Sequence, residues 1–230
     1  MVIKDKEITL IIPAKQEKES LGYVLNELKK YDFKIIIILE ESDLDTFEVA
    51  KNFKNLVIFQ KKTEKGYGSA ILKGLKKVKT NYFSIFNADG SFNPVEIKNM
   101  KEILFSKSFD IVFASRYLGF GSGSDDDSFL TWTGNKLFTF LGNIIYRTNI
   151  SDILYTFILG KTKKIKKLNL KNNDFRICVE IPIKAKKKNL KITDCISYER
   201  KRYSGKKKVN EFKDGFLILF YILKFFLEKK

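Results

Sequence analysis

The sequence predicts an α/β fold with a mostly parallel central sheet and helices on both faces. Short apolar runs alternate with segments whose apolar residues recur at helical spacing. The runs are apolar throughout, as strands are when both faces of a sheet are covered. Polar or glycine-rich residues follow each run, so we expect the loops that carry them at one edge of the sheet.

The first half of the chain contains five predicted strands separated by four predicted helices. The strands are predicted at 7–13, 34–39, 56–59, 82–86 and 110–115. The helices are predicted over 21–28, 46–53, 66–78 and 94–105. This regular alternation is the pattern of a parallel sheet with crossover helices.

The second half is less regular. A loop rich in glycine, serine and aspartate is predicted at 119–128, a helix at 129–146 and a strand at 152–159. Asp174 begins a further predicted helix, which Pro182 should kink or interrupt. A strand at 191–198 and a lysine- and arginine-rich segment at 199–208, here called the basic loop, follow.

The end of the chain is predicted as an amphipathic helix. We expect one domain over 1–210 and this helix over 211–230, packed on the domain or extending from it. Its apolar part, 216–227, is too short to span a bilayer, which takes roughly 20 residues. Two interpretations stay open: core packing, or an interfacial position at a membrane. The second is favoured by the clustered aromatic residues Phe216, Phe220, Tyr221, Phe225 and Phe226.

Composition excludes several kinds of chemistry. The 230 residues contain no histidine, which excludes histidine bases and histidine-ligated zinc. Two separated cysteines form neither a CxxC motif nor a disulfide framework, so we expect a cytosolic protein. The net charge of +17 indicates an anionic partner, such as phosphorylated substrates, a membrane surface or nucleic acid. Nucleic acid is disfavoured because the aromatic residues lie in apolar strands and helices.

Three oxygen-bearing side chains, Asn87, Asp89 and Ser91, follow the apolar run at 82–86. Their alternate spacing at the end of a predicted parallel strand suits a hard divalent cation that holds phosphates. Taken alone, the same residues also suit an ordinary strand-to-helix turn.

The order of four motifs resembles the family 2 glycosyltransferases of GT-A fold, a Rossmann-like architecture. The motifs are Ile11-Ile12-Pro13-Ala14 with Glu17, Gly66-Tyr67-Gly68-Ser69-Ala70, Asn87-Ala88-Asp89 and Ser115-Arg116-Tyr117. Within that family the chain is most similar to the dolichyl-phosphate and other polyprenyl-phosphate sugar synthases. Asp152, Glu180 and the R-x-x-G-x-x-K pattern from Arg202 to Lys208 carry this closer resemblance.

The resemblance implies an inverting transferase that moves a sugar from a UDP- or GDP-linked donor to polyprenyl phosphate. It implies Mg²⁺ or Mn²⁺ as cofactor and peripheral association with the cytosolic face of a membrane. The implied nucleotide-binding residues are Pro13, Ala14, Glu17, Glu40, Glu41, Lys65, Gly66, Asn87, Ala88 and Asp89. The implied metal ligands are Asp89, Asn87 and Ser91, and the implied phosphate and acceptor ligands are Arg116, Arg202 and Lys208. The implied catalytic residues are Asp89, Asp152, Glu180 and Arg202.

Departures from the family pattern leave alternatives. Asn87 replaces the usual first aspartate of D-x-D, which removes one charge and favours a catalytically weakened nucleotide-sugar-binding relative as one alternative. A transferase with a saccharide or other hydroxyl acceptor is the other, with Asp152 or Glu180 as its base. Local alternatives also stay open: Glu180 as a paired carboxylate at the core edge, the glycines as a plain helix start, and 125–127 as a solvated loop.

Overall fold

A seven-stranded sheet forms the centre of the protein. The computed structural model describes residues 3–54, 56–60, 66–205 and 207–227. The strand order is β3-β2-β1-β4-β7-β5-β8, and β7 alone runs antiparallel to its neighbours β4 and β5. These strands are β1 Ile8–Pro13, β2 Lys34–Glu40, β3 Leu56–Gln60, β4 Tyr82–Ile85, β5 Ile111–Ser115, β7 Ile158–Lys161 and β8 Ile192–Ile196. A separate small sheet pairs β6 Gly123–Ser124 with β9 Tyr198–Glu199.

Helices cover both faces of the sheet, as predicted. Along β1 the side chains alternate: Ile11 joins one hydrophobic cluster, and Leu10 and Ile12 join a second cluster on the opposite face. The helices are α1 Lys18–Leu28, α2 Leu44–Ala50, α3 Tyr67–Lys77, α4 Glu96–Ser106, α5 Phe129–Tyr146, α6 Thr162–Lys166, α7 Ile177–Lys187 and α8 Glu211–Leu227. The predicted fold class is confirmed.

Two elements of the second half differ from their prediction. The strand predicted at 152–159 begins only at Ile158, because the Asp152 carboxylate accepts the Tyr155 backbone N–H at 3.2 Å and holds this stretch in a turn. Helix α7 is not interrupted at Pro182. Pro182, Ile181 and Ile183 are all buried, and this packing outweighs the hydrogen bond that proline cannot make.

Helix α8 packs on the same core as the rest of the chain. Ile218 and Ile222 are buried, and the Tyr146 hydroxyl of α5 donates to the Ile222 carbonyl at 2.6 Å. Tyr221 and Phe225 stack on each other and face the core, whereas Phe216, Phe220 and Phe226 are exposed. Among the described residues, no helix combines the length and the apolar character needed to cross a bilayer.

Candidate active site

A cavity of about 410 Å³ opens at the carboxyl ends of β1, β2 and β4. Eight of its lining residues follow or end strands of the sheet, and we call them the strand-end wall. They are Pro13, Ala14, Glu17, Glu40, Gln60, Asn87, Ala88 and Asp89. The structure therefore brings most of the predicted nucleotide-binding residues together, and adds Gln60, which the sequence did not single out. Glu40 and Gln60 are neighbours because β2 and β3 pair in register.

Three further predicted residues have different positions. Gly66 lines the cavity beside the strand-end wall. Glu41 is exposed, and the described cavity lining does not include it. Lys65 lies outside the described residues.

Asp89 presents only one of its two carboxylate oxygens to the cavity. Its Oδ1 accepts the Ser91 backbone N–H at 3.0 Å and the Ser91 hydroxyl at 2.7 Å. Its Oδ2 lies 3.7 Å from a guanidinium nitrogen of Arg202. Ser91 is buried and belongs to the support of Asp89, not to the cavity lining. Beside it, the Tyr67 hydroxyl approaches Asn87 Oδ1 at 3.4 Å.

Few candidate metal ligands lie beside Asp89, but they are oxygen atoms, which suit a hard cation. Asp89 and Asn87 both contribute side-chain oxygens to the cavity lining, and Arg202 already places a positive charge beside Asp89. No group of three or more acidic, histidine or cysteine residues suited to hold a metal occurs in the described part of the chain. The residues fit Mg²⁺ or Mn²⁺ that takes its other ligands from substrate phosphates and water, which is common for Mg²⁺.

Opposite lies a second set of cavity-lining residues, which we call the loop wall: Arg116, Asp126, Asp127, Glu199, Arg202 and Lys208. Its centre is Arg116, whose Nε and Nη2 donate to Asp152 at 2.7 and 3.1 Å and whose Nη1 donates to Glu199 at 3.0 Å. Burial opposes the charge, but Asp152 and Glu199 outweigh it, so the pKa of Arg116 lies well above its ordinary value. The guanidinium group of Arg116 therefore bonds to two carboxylates of the protein itself.

Asp152 lies behind Arg116 and is buried. It also accepts hydrogen bonds from the Asn135 side chain and the Arg116 backbone N–H. Glu199 accepts from Ser124 as well, and burial raises its pKa more than the neighbouring Arg116 lowers it. Both carboxylates are fully engaged in holding the loop wall.

Within the acidic run at 125–127, Asp125 is exposed, but Asp126 and Asp127 are bound to other side chains. Asp126 pairs with Arg202 through two hydrogen bonds of 3.2 and 2.7 Å, and Asp127 accepts from Tyr117 and Thr131. Both line the cavity. Ser128 directly after them caps α5, which fixes their position. That capping residue is the sequence signal that could have indicated an ordered segment.

Tyr203 and Lys208 of the basic loop contact the strand-end wall. Tyr203 stacks on Tyr23 with ring centroids 4.6 Å apart, and its backbone N–H donates to the Asp89 carbonyl at 2.7 Å. Lys208 lies 3.5 Å from Glu17. Burial raises the pKa of Glu17, and the hydrogen bond from Ser20 and the charge of Lys208 oppose that rise. Arg202 and Lys208 therefore lie next to Asp89 and Glu17, two of the residues predicted to bind the nucleotide.

Glu180 does not line the cavity. It is buried, accepts the backbone N–H groups of Lys171 and Asn172 at 2.9 Å each, and pairs with Lys184 at 2.6 Å. This holds the segment 172–174 against the start of α3. A Cβ atom on Gly66 would lie 2.2 Å from the Asn173 carbonyl oxygen, and one on Gly68 would lie 2.3 Å from that of Asn172. The two glycines permit this close approach.

Comparison with known proteins now identifies the family. The sequence profile described as Glycosyl transferase family 2 matches residues 9–168. The chain belongs to this family. It is a nucleotide-sugar-dependent glycosyltransferase, as the motifs predicted.

Two curated relatives bear on the closer resemblance. The transferase is 25% identical over 189 residues to dolichol-phosphate mannosyltransferase of Pyrococcus furiosus, covering 78% of this chain and 53% of that protein. It is 26% identical over 211 residues to UDP-N-acetylglucosamine–dolichyl-phosphate N-acetylglucosaminyltransferase of Methanococcus voltae, covering 82% and 83%. These relatives agree with the predicted likeness to polyprenyl-phosphate sugar synthases.

Solved structures confirm the GT-A fold. Glucosyl-3-phosphoglycerate synthase from Mycobacterium tuberculosis, crystallised with Mn²⁺, uridine diphosphate and glucosyl-3-phosphoglycerate, superposes with a TM-score of 0.73. The match covers 94% of this chain and 78% of that one at 13% identity. At this identity the likeness concerns the fold alone.

Proposed function

We propose that the transferase moves a sugar from a UDP- or GDP-linked donor to the phosphate of a polyprenyl phosphate, peripherally bound at the cytosolic face of a membrane. One observation carries the choice of acceptor: the two carboxylates that the sequence offers as a base, Asp152 and Glu180, are already engaged. Asp152 is bonded to Arg116 and Asn135, and Glu180 to two backbone N–H groups and Lys184. A hydroxyl acceptor needs a base, whereas a lipid phosphate attacks as an anion.

The two cavity walls would have different roles in binding the substrates. The strand-end wall would hold the nucleoside diphosphate, with Asp89 and Asn87 as ligands of Mg²⁺ or Mn²⁺. When bound, that cation stabilises the charge that develops on the leaving diphosphate. Arg202 and Lys208 belong to the loop wall but lie close to Asp89 and Glu17 of the strand-end wall. They are therefore suited to bind the donor diphosphate or the acceptor phosphate. Arg116 holds the loop wall in place through Asp152 and Glu199, and it lines the cavity where its charge would favour a phosphate.

The chemical step needs no proton transfer. An acceptor phosphate oxygen forms a bond to the anomeric carbon, and the bond from that carbon to the diphosphate oxygen breaks. The electron pair leaves with the nucleoside diphosphate, and attack from the opposite side inverts the anomeric configuration. Arg202 must exchange its contact with Asp89 for phosphate oxygens when the donor binds, since one guanidinium now serves Asp89 and Asp126 together.

Two curated relatives support the acceptor class, because their names specify dolichol phosphate as the molecule they act on. Asn87 supports the second candidate, a nucleotide-sugar-binding relative with weakened catalysis. With Asn87, the motif offers one carboxylate, that of Asp89, where the usual D-x-D motif offers two.

The test is sugar transfer from UDP-, GDP- and dTDP-sugars with Mg²⁺ or Mn²⁺, with and without polyprenyl phosphate. We expect a lipid-linked product that requires the lipid phosphate and falls at least about 100-fold in Asp89→Ala. Asp45→Ala is the matched control, because Asp45 is exposed and lies away from the cavity. Transfer to hydroxyl acceptors without the lipid would contradict the proposal, and donor binding without turnover would favour the weakened relative.

A further inference from the structure

Helices α5 and α8 lie side by side and run in the same direction. At their beginnings the Ser128 hydroxyl donates to Glu211 at 3.0 Å, and near their ends Tyr146 donates to the Ile222 carbonyl at 2.6 Å. Thr131 in the first turn of α5 and Val209 just before α8 both line the cavity. The pair of helices therefore starts at the rim of the active site and extends away from it.

The outward faces of these helices are apolar. Six side chains are at least 60% exposed: Phe129, Phe140 and Ile144 on α5, and Phe212, Phe216 and Leu227 on α8. We call these six the α5/α8 surface. On each helix they recur at helical spacing, so each helix turns one stripe outward while its opposite stripe packs on the core. Exposed apolar stripes on two neighbouring helices are the kind of surface that marks an interaction site.

Positive charge borders the α5/α8 surface. Helix α5 contains no acidic residue and carries Lys136, while Lys213 and Lys224 are exposed on α8. The acids of α8, Glu211 and Asp214, both lie in its first turn and accept hydrogen bonds from Ser128 and Asn210.

We propose that the α5/α8 surface lies on an anionic bilayer, with its lysines at the lipid headgroups. Apolar side chains flanked by lysines suit the boundary between acyl chains and anionic headgroups. A second copy of the chain fits this surface less well, because a two-fold interface would place the same lysine-flanked surfaces against each other.

This surface deepens the proposed function, and only its link to the acceptor rests on that function. Phe129 and Phe212 lie at the helix ends nearest the cavity, so a docked bilayer has its headgroup layer beside Arg202 and Lys208. A lipid phosphate then reaches these cations without leaving the membrane surface. The apolar side chains hold the enzyme on the bilayer, and the loop wall receives the phosphate.

The test is co-sedimentation of the full chain with phosphatidylcholine vesicles, with and without phosphatidylglycerol. We expect binding that requires phosphatidylglycerol, weakens with added salt, and falls at least about tenfold in the double variant Phe140→Ser with Ile144→Ser. Leu44→Ser with Phe105→Ser is the matched control, because these side chains are exposed on α2 and α4. Circular dichroism establishes that each variant is folded.

Two results would overturn the proposal. One is vesicle binding that the α5 double variant leaves unchanged. The other is light scattering that shows a dimer which the same variant dissociates, without vesicle binding by the parent chain. Transfer to a short, water-soluble prenyl phosphate is measured in parallel and should be retained by the variant. Failure of the parent chain to use any prenyl phosphate would count against the proposed function, while the vesicle result would still decide the docking surface.

Discussion

The two walls of the cavity are held in place by different forces. The strand-end wall follows directly from the sheet: Pro13, Glu40 and Asn87 stand where parallel strands end, and backbone pairing fixes their spacing. In the loop wall, Arg116 follows β5 and Glu199 lies in β9 of the small sheet, but their side chains are held by buried ion pairs and not by strand pairing alone. Arg116, Asp152 and Glu199 come from three separate segments, joined by charge-assisted hydrogen bonds.

This difference predicts how each wall fails. The strand-end wall should tolerate the loss of a side-chain contact, because its backbone is held by the sheet. The loop wall should not, because removing one ion from a buried network leaves the others without compensation. Two contacts join the walls: Lys208 lies 3.5 Å from Glu17, and Arg202 lies 3.7 Å from Asp89.

Arg116→Ala should have the largest effect on stability. Removing the guanidinium leaves Asp152 and Glu199 buried without their cation, and we expect unfolding in denaturant to become easier by about 3–5 kcal/mol. Arg176→Ala is the matched control: its partner Asp174 is two residues away and both side chains are about one-third exposed, so the loss should stay below about 1 kcal/mol. Equal losses in the two variants would show that the network does not hold the loop wall.

Gly68→Ala should have the next largest effect, and it tests the strand-end side of the cavity. The added methyl group would lie 2.3 Å from the Asn172 carbonyl oxygen and 2.7 Å from that of Asp174, so the segment 172–174 must move. We expect a loss of about 1–3 kcal/mol, measured by the same unfolding experiment.

The control for this variant has the opposite sign. In helix α5, a Cβ atom on Gly134 meets nothing closer than 3.8 Å, so Gly134→Ala should stabilise the protein by about 0.5–1 kcal/mol. A neutral Gly68→Ala would contradict the close approach described here. It would also show that the hydrogen bonds from the Lys171 and Asn172 N–H groups to Glu180 do not hold this segment tightly against α3.

The same contrast explains what the sequence could predict. Apolar runs and the polar residues after them are local signals, and they located the sheet and the strand-end wall. The loop wall depends on pairs 36 and 83 positions apart, which no local pattern indicates. For that reason the sequence favours a solvated loop at 125–127 and gives no sign of the bonds from Arg116 to Asp152 and Glu199. Glu180 shows the same limit, since its partners are backbone groups of a neighbouring loop.

Glu17→Gln should have the smallest effect, and its dependence on pH tests the contact between the walls. Burial raises the pKa of Glu17 above its ordinary value of 4.5, so the ionised side chain weakens the folded state. The stabilisation that comes from the neutral form of Glu17 is fully present below pH 4.5 and is lost as the pH rises through the raised pKa. At pH 7 we therefore expect Glu17→Gln to be more stable than the parent, by less than about 1 kcal/mol, with the difference shrinking towards pH 4.5.

Glu27→Gln supplies the control of opposite sign for this last measurement. The hydrogen bond from Arg200 lowers the pKa of Glu27, so its stabilisation is present above the ordinary pKa of 4.5 and is lost as the pH falls through the lowered pKa. At pH 7, Glu27→Gln should therefore be less stable than the parent. If Glu17→Gln also lost stability at pH 7, the ion pair with Lys208 would outweigh the burial of the charge. The contact between Lys208 and Glu17 would then make a net contribution to the stability of the folded protein.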